Sequence, residues 1–170
     1  MKQGTKIHYI FSFTLLIAVM SSCFKNETYP LEPIITYHSF SISGEEASLT
    51  FNFTDGDGDI GLSDSDTIAP YSVDSEFHYN LLINYFEKDD VLGWIQGQNL
   101  DGTPTIFEYR IKPIIIKGKT KGVKGKIEVD MGTVFFNPVS DQNDTIKYKI
   151  QLIDKALNKS NTIESEVIIR

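Results

Sequence analysis

Apolar and polar side chains alternate along much of this chain. Across 47–54 (ASLTFNFT), Leu49, Phe51 and Phe53 fall on one side and Ser48, Thr50 and Asn52 on the other. Period two over such a stretch predicts a β-strand with one face buried. The pattern returns at 77–86 through Tyr79, Leu81, Ile83 and Tyr85, and at 125–131 through Ile127, Val129 and Met131. It is clearest at 145–153, where Ile146, Tyr148, Ile150 and Leu152 point inward and Lys147, Lys149 and Gln151 outward. Residues 34–42, 105–116 and 162–169 also read as strands, with Pro113 forcing the second of these to an edge or a bend.

Turn-forming residues separate the runs: Ser43-Gly44, Asp89-Asp90, Asp101-Gly102, Gly122 and Asn143-Asp144. No helical periodicity of useful length occurs. About seven strands with regular turns, over roughly 140 residues, predict an all-β fold, an immunoglobulin-like antiparallel β-sandwich. A small closed barrel is the competing architecture.

The first 22 residues are of another kind. Lys2 and Lys6 precede an apolar run from Ile7 to Met20, and Ser21, Ser22 and Cys23 end it. A positive start, a short apolar stretch and small residues form an export signal. The run of 14 residues is short against the roughly 20 that a spanning helix requires. A short membrane helix that stays attached is the competing reading. Val19-Met20-Ser21-Ser22-Cys23 resembles the lipobox of bacterial lipoproteins, with Met20 departing at the aliphatic position. That resemblance implies cleavage before Cys23 and acylation of Cys23. Several acyl chains together anchor stably where one does not.

The expected organisation is therefore a signal peptide over 1–22, a tether over 23–33 and a sandwich domain over 34–170. The tether reading rests on the polar, proline-bearing stretch FKNETYPLEP (24–33). Lys25, Asn26 and Glu27 loosely resemble the charged stretch associated with surface export in Bacteroidetes lipoproteins. Cys23 is the chain's single cysteine, so no intramolecular disulfide can form.

The net charge is −7. It falls to about −9 when Lys2 and Lys6 leave with the leader, which argues against nucleic-acid binding. Such acidity suits an envelope domain that holds cations. The acids concentrate in Asp55-Gly56-Asp57-Gly58-Asp59-Ile60-Gly61. Calcium takes six to eight oxygen ligands, and D-x-D-x-D spacing can turn several carboxylates toward one centre. The segment resembles the opening of an EF-hand loop, but Ile60 stands where the glycine belongs and Asp66 where the closing glutamate belongs. With strands on both sides, a true EF-hand is rejected and only the ligand logic kept. Asp64 and Asp66 could add oxygens.

Asp154-Lys155-Ala156-Leu157-Asn158-Lys159-Ser160-Asn161 resembles the D-x-A-x-N-x-S turn of bacterial immunoglobulin-like domains. Counting strands from Ile34 makes the acidic segment the B–C loop and this turn the F–G loop. Those loops share one end of an immunoglobulin-like sandwich. Asp55, Asp57, Asp59, Asp154 and Asn158 are thus the candidate calcium ligands. The competing reading gives them turn hydrogen bonds alone. Together, FTDGDGDIGL and DKALNKSN resemble an uncharacterised set of Bacteroidetes lipoproteins, which implies location and fold but no activity.

The remaining features are weaker. Lys117, Lys119, Lys121, Lys124 and Lys126 fit a solvated charged edge, with a lipid-touching hairpin as the alternative. Trp94 is expected in the core or on an edge strand rather than stacking on a sugar. His38 and His78 lie in expected strands with no ligand spacing. Asp66-Thr67-Ile68 and Asp144-Thr145-Ile146 resemble a short bacterial O-glycosylation motif.

No nucleophile elbow, phosphate loop, H-E-x-x-H or dinucleotide fingerprint occurs, so an enzyme is not expected. The expectation is a non-catalytic binding or accessory lipoprotein on the outer membrane or cell surface, membrane-held and meeting an envelope protein or glycan. A purely structural lipoprotein and a glycan-acting hydrolase are the alternatives.

Overall fold

In a computed structural model the described residues are 28–114 and 122–170. The leader, Cys23, the first part of the tether, Lys117, Lys119 and Lys121 lie outside them. The described residues form nine strands and no helix. In chain order these are β1 (Ile34–Ser43), β2 (Glu46–Asp55), β3 (Leu81–Asp89), β4 (Gly93–Gln96), β5 (Ile106–Tyr109), β6 (Val123–Gly132), β7 (Thr145–Leu152), β8 (Ile163–Glu164) and β9 (Ile168–Ile169).

Strands β1, β2 and β6 pair antiparallel in one sheet, with β2 central. The other sheet centres on β3 and β7. Both β4 and β5 pair with the same edge of β3, and both β8 and β9 with the far edge of β7. Nine strands thus fill seven ladder positions, in the order of an immunoglobulin-like sandwich.

Two interruptions account for the difference between seven and nine. Residues 97–105 leave the edge of β3 as a small excursion. It is closed where Thr105 N–H donates to the Gly97 carbonyl at 2.8 Å and Gly97 N–H to the Tyr85 carbonyl at 3.0 Å. A Cβ on Gly97 would lie 2.5 Å from the Tyr85 ring, so the chain can turn out there only at glycine. Between β8 and β9, the Ser165 hydroxyl accepts the Tyr148 N–H at 3.0 Å, replacing a ladder acceptor.

The core follows from strand parity. Ala47, Leu49, Phe51 and Phe53 of β2 face Leu81, Ile83 and Tyr85 of β3 and Ile146, Tyr148, Ile150 and Leu152 of β7 in one buried cluster. Successive side chains of a strand point to opposite sides, so these residues enter together.

Three expected strands are corrected. The strand expected at 77–86 begins at Leu81, so His78 sits in a turn, where its carbonyl accepts from Arg110. The strand expected at 105–116 stops at Tyr109. Residues beyond it pair instead with the acidic loop: Leu62 N–H donates to the Ile111 carbonyl at 2.8 Å and Ile114 N–H to the Ile60 carbonyl at 3.2 Å. The run expected at 162–169 is split at Ser165–Val167. Strand β4 carries the half-buried Trp94 on the sheet edge, with Lys147 Nζ 4.8 Å and Lys88 Nζ 5.6 Å from the ring centroid.

Candidate metal centre

The inward row of β2 runs Ala47, Leu49, Phe51, Phe53 and then Asp55. The inward row of β7 runs Ile146, Tyr148, Ile150 and Leu152, and Asp154 is next in phase. Each row ends in a carboxylate. The two strands lie in facing sheets, so the two acids meet across the open end of the sandwich. Asp55 is 0% exposed and Asp154 1%.

A third acid arrives by a tight turn. Asp55 Oδ2 accepts the N–H groups of Gly58 at 2.7 Å and Asp59 at 3.1 Å, curling the chain back on itself. Gly58, at φ 77°, makes that curl without the strain an L side chain would bring. Ile60, at the position that breaks the EF-hand pattern, is buried in the core and anchors the loop's far side.

Asp55, Asp59 and Asp154 each offer an oxygen, and the three oxygens lie within 4.8 Å of one another. The loops also join directly. Lys155 N–H donates to the Asp59 carbonyl at 3.2 Å, and the Tyr71 hydroxyl to the Lys155 carbonyl.

The electrostatics of this cluster are unfavourable by themselves. Burial, and then the Asp154, Asp57 and Asp55 charges, push the Asp59 carboxyl up to about 6. Burial first, and neighbouring acids after it, also raise Asp55 and Asp154, against the hydrogen bonds each accepts. Among the described residues, four buried side-chain oxygens lack a hydrogen-bond partner, and two of them, Asp55 Oδ1 and Asp59 Oδ1, belong to this cluster. A buried charged oxygen without a partner is costly, and a bound cation would remove that cost.

The other candidate ligands play different parts. Asp57 is exposed, and it acts on the cluster through its charge. Asn158 holds Asp154 in place: its N–H donates to Asp154 Oδ1 and its Nδ2 to Asp154 Oδ2, each at 2.8 Å. Its amide thus faces the carboxylate as a donor. Asp64 and Asp66 pair elsewhere. Asp64 meets Lys112 at 3.0 Å in an exposed pair. Lys155 binds Asp66 at 2.9 Å and, with Ser63, holds its carboxyl down at about 2.

Sequence reasoning missed the pins of the long B–C loop. The Arg110 guanidinium donates to the carbonyls of His78, Ser63 and Asp66, the last at 2.6 Å. One side chain thereby satisfies three loop carbonyls. Arg110 lies inside the strand expected over 105–116 but just past the end of β5, and its bonding needed the folded loop to become visible. Arg110→Ala is expected to lower stability by about 2 kcal/mol, because charge-assisted bonds to carbonyls are lost. It should also speed protease cleavage within 63–78, read by mass spectrometry. Unchanged cleavage at that loop would contradict the pinning role.

The donor set is all oxygen. Hard oxygen donors with no imidazole or thiolate suit calcium or magnesium over zinc or copper.

Comparison with known proteins returns no match, neither with a family model, nor with a curated protein, nor with a solved structure.

Proposed function

We propose that the chain is a lipid-anchored envelope lipoprotein whose sandwich is a non-catalytic binding or accessory module, stapled by calcium between its B–C and F–G loops. The observation that carries the calcium part is the convergence of Asp55, Asp59 and Asp154, two of them fully buried, with unpartnered oxygens on Asp55 and Asp59. An ion there would join loops about a hundred residues apart in sequence. Asp55 and Asp154 are buried at the loop end of the sandwich, which supports a staple rather than a reaction centre.

Acylation of Cys23, and with it the outer-membrane or surface location, is supported by the lipobox-like sequence. The partner, an envelope protein or a glycan, would be met by the sandwich surface.

Calorimetric titration of the purified chain with calcium is expected to show one saturable site, which Asp154→Asn weakens at least tenfold. No heat of binding, or an unaltered affinity in Asp154→Asn, would refute the ion site. Mass spectrometry of the native protein should find an acylated Cys23 at the amino terminus; an unmodified cysteine behind an intact leader refutes the anchor.

A further inference from the structure

The cation end is also where the described chain enters the sandwich. Ile34 opens β1 opposite Thr54, next to Asp55. The residues just before it, read above as tether, lie on the acidic loop. At Gly56, between Asp55 and Asp57, an added Cβ would come within 2.5 Å of the Pro30 carbonyl oxygen and 2.6 Å of the Tyr29 carbonyl oxygen. Only a glycine lets the lead-in backbone approach so closely. Further on, Pro33 is buried.

The other loop of the cation site holds the chain a few residues on, at the start of β1. Asn161 Oδ1 accepts the Ile35 N–H at 2.8 Å, and Asn161 Nδ2 donates to the Ile35 carbonyl at 2.9 Å. This side chain binds both backbone groups of one residue, in the manner of a neighbouring strand. It belongs to the segment that begins at Asp154 and ends at β8. The entering chain therefore touches the B–C loop at Gly56 through Tyr29 and Pro30, and the F–G segment at Asn161 through Ile35.

We propose that cation binding at Asp55, Asp59 and Asp154 locks the lead-in, residues 28–35, against the B–C and F–G loops, and that loss of the ion releases it. This rests on the ion site proposed above. Three close carboxylates drive the two loops apart when nothing neutralises them, and a divalent ion draws them together. The lead-in contacts both loops, so it docks fully only at the spacing the ion maintains. The ion would then govern how stiffly the sandwich is joined to the chain that precedes it. Release would also free the exposed Leu31 and Ile34 from their fixed positions.

Hydrogen–deuterium exchange on the full chain tests this, in millimolar calcium against chelator, with calcium binding measured calorimetrically on the same sample. A peptide covering 28–35 is expected to exchange at least tenfold more slowly in calcium, while a β3 peptide over 81–88 changes little. Asn161→Ala, which touches the lead-in and none of the acids, should still bind calcium but lose most of the protection over 28–35. Gly56→Ala should lose it as well, since the lead-in can no longer seat. Calcium binding with unchanged exchange over 28–35 overturns the lock and leaves the ion site standing. The absence of calcium binding overturns both. Full protection in Asn161→Ala also overturns the lock.

Discussion

Millimolar calcium is expected to raise the melting temperature of this protein by about 8 °C over a chelator-treated sample. A ligand at a hundred times its dissociation constant stabilises the folded state by about 2.7 kcal/mol. In a domain of this size, 1 kcal/mol moves the midpoint by about 3 °C. The informative variant is Asp55→Asn, which keeps the shape of the side chain and an oxygen to accept from Gly58 and Asp59. In calcium it should melt below the parent, because an ionic ligand is gone. In chelator it should melt above the parent, because a buried charge facing two others has been removed. The order of the two proteins therefore reverses with the ion. Differential scanning calorimetry checks this; parent curves that coincide with and without calcium would sink it, and so would a full calcium shift in Asp55→Asn.

Tyr148→Ala is expected to remove about 4 kcal/mol, the largest loss from any single truncation considered, as for other large buried aromatics cut to alanine. Tyr148 is fully buried at the middle of β7, with ring centroids of Phe40 at 5.5 Å, Tyr85 at 6.1 Å and Phe107 at 6.3 Å. Its hydroxyl donates to the Phe135 carbonyl in the long β6–β7 connection. The ring therefore joins both sheets, and the hydroxyl ties in a loop. Tyr148→Phe separates the two roles: it keeps the ring, leaves that carbonyl without its donor, and should cost about 1–2 kcal/mol. With whole-domain stabilities of roughly 5–15 kcal/mol, the alanine variant is expected near the edge of folding. Urea denaturation followed by tryptophan fluorescence from Trp94 measures both. An alanine variant no less stable than the phenylalanine variant would show that the ring carries little.

Much of this architecture is visible in alternation alone. Leu49, Phe51 and Phe53, and Ile146 through Leu152, identify two central strands and their buried faces. Counting strands places the acidic loop and the Asp154 turn at one end, and they do meet there. Parity carried one further signal. Asp55 and Asp154 are the next inward positions after Phe53 and Leu152, so the pattern that marks the core also aims these two carboxylates. Asp57 does not share that determinacy, since it lies beyond the strand in a glycine turn where parity no longer holds.

Length and spacing were poor guides in other places. The apolar run 105–116 looks like one strand, yet Pro113 lacks an N–H and the chain after Tyr109 turns its bonds to Ile60 and Leu62. The turn at Asp101-Gly102 is legible, but the points where 97–105 leaves and rejoins the edge of β3 are not, and Ser165–Val167 carries no turn signal. What places these interruptions is contact with Tyr85 and Tyr148 across the sheet.

From the sequence alone came the all-β class, the inward rows, the shared end of the two oxygen-rich loops and the acidic character of that end. Each depends on strand geometry, which repeats every two residues and is encoded locally. The tertiary structure alone decided that Asp59 joins Asp55 and Asp154 while Asp57 stays out, that Asn158 serves as a donor, that Arg110 pins the loop, and that Tyr29 and Pro30 lie against Gly56. In loops, side-chain direction is set by contacts between segments far apart in the chain, and such contacts leave no period to read.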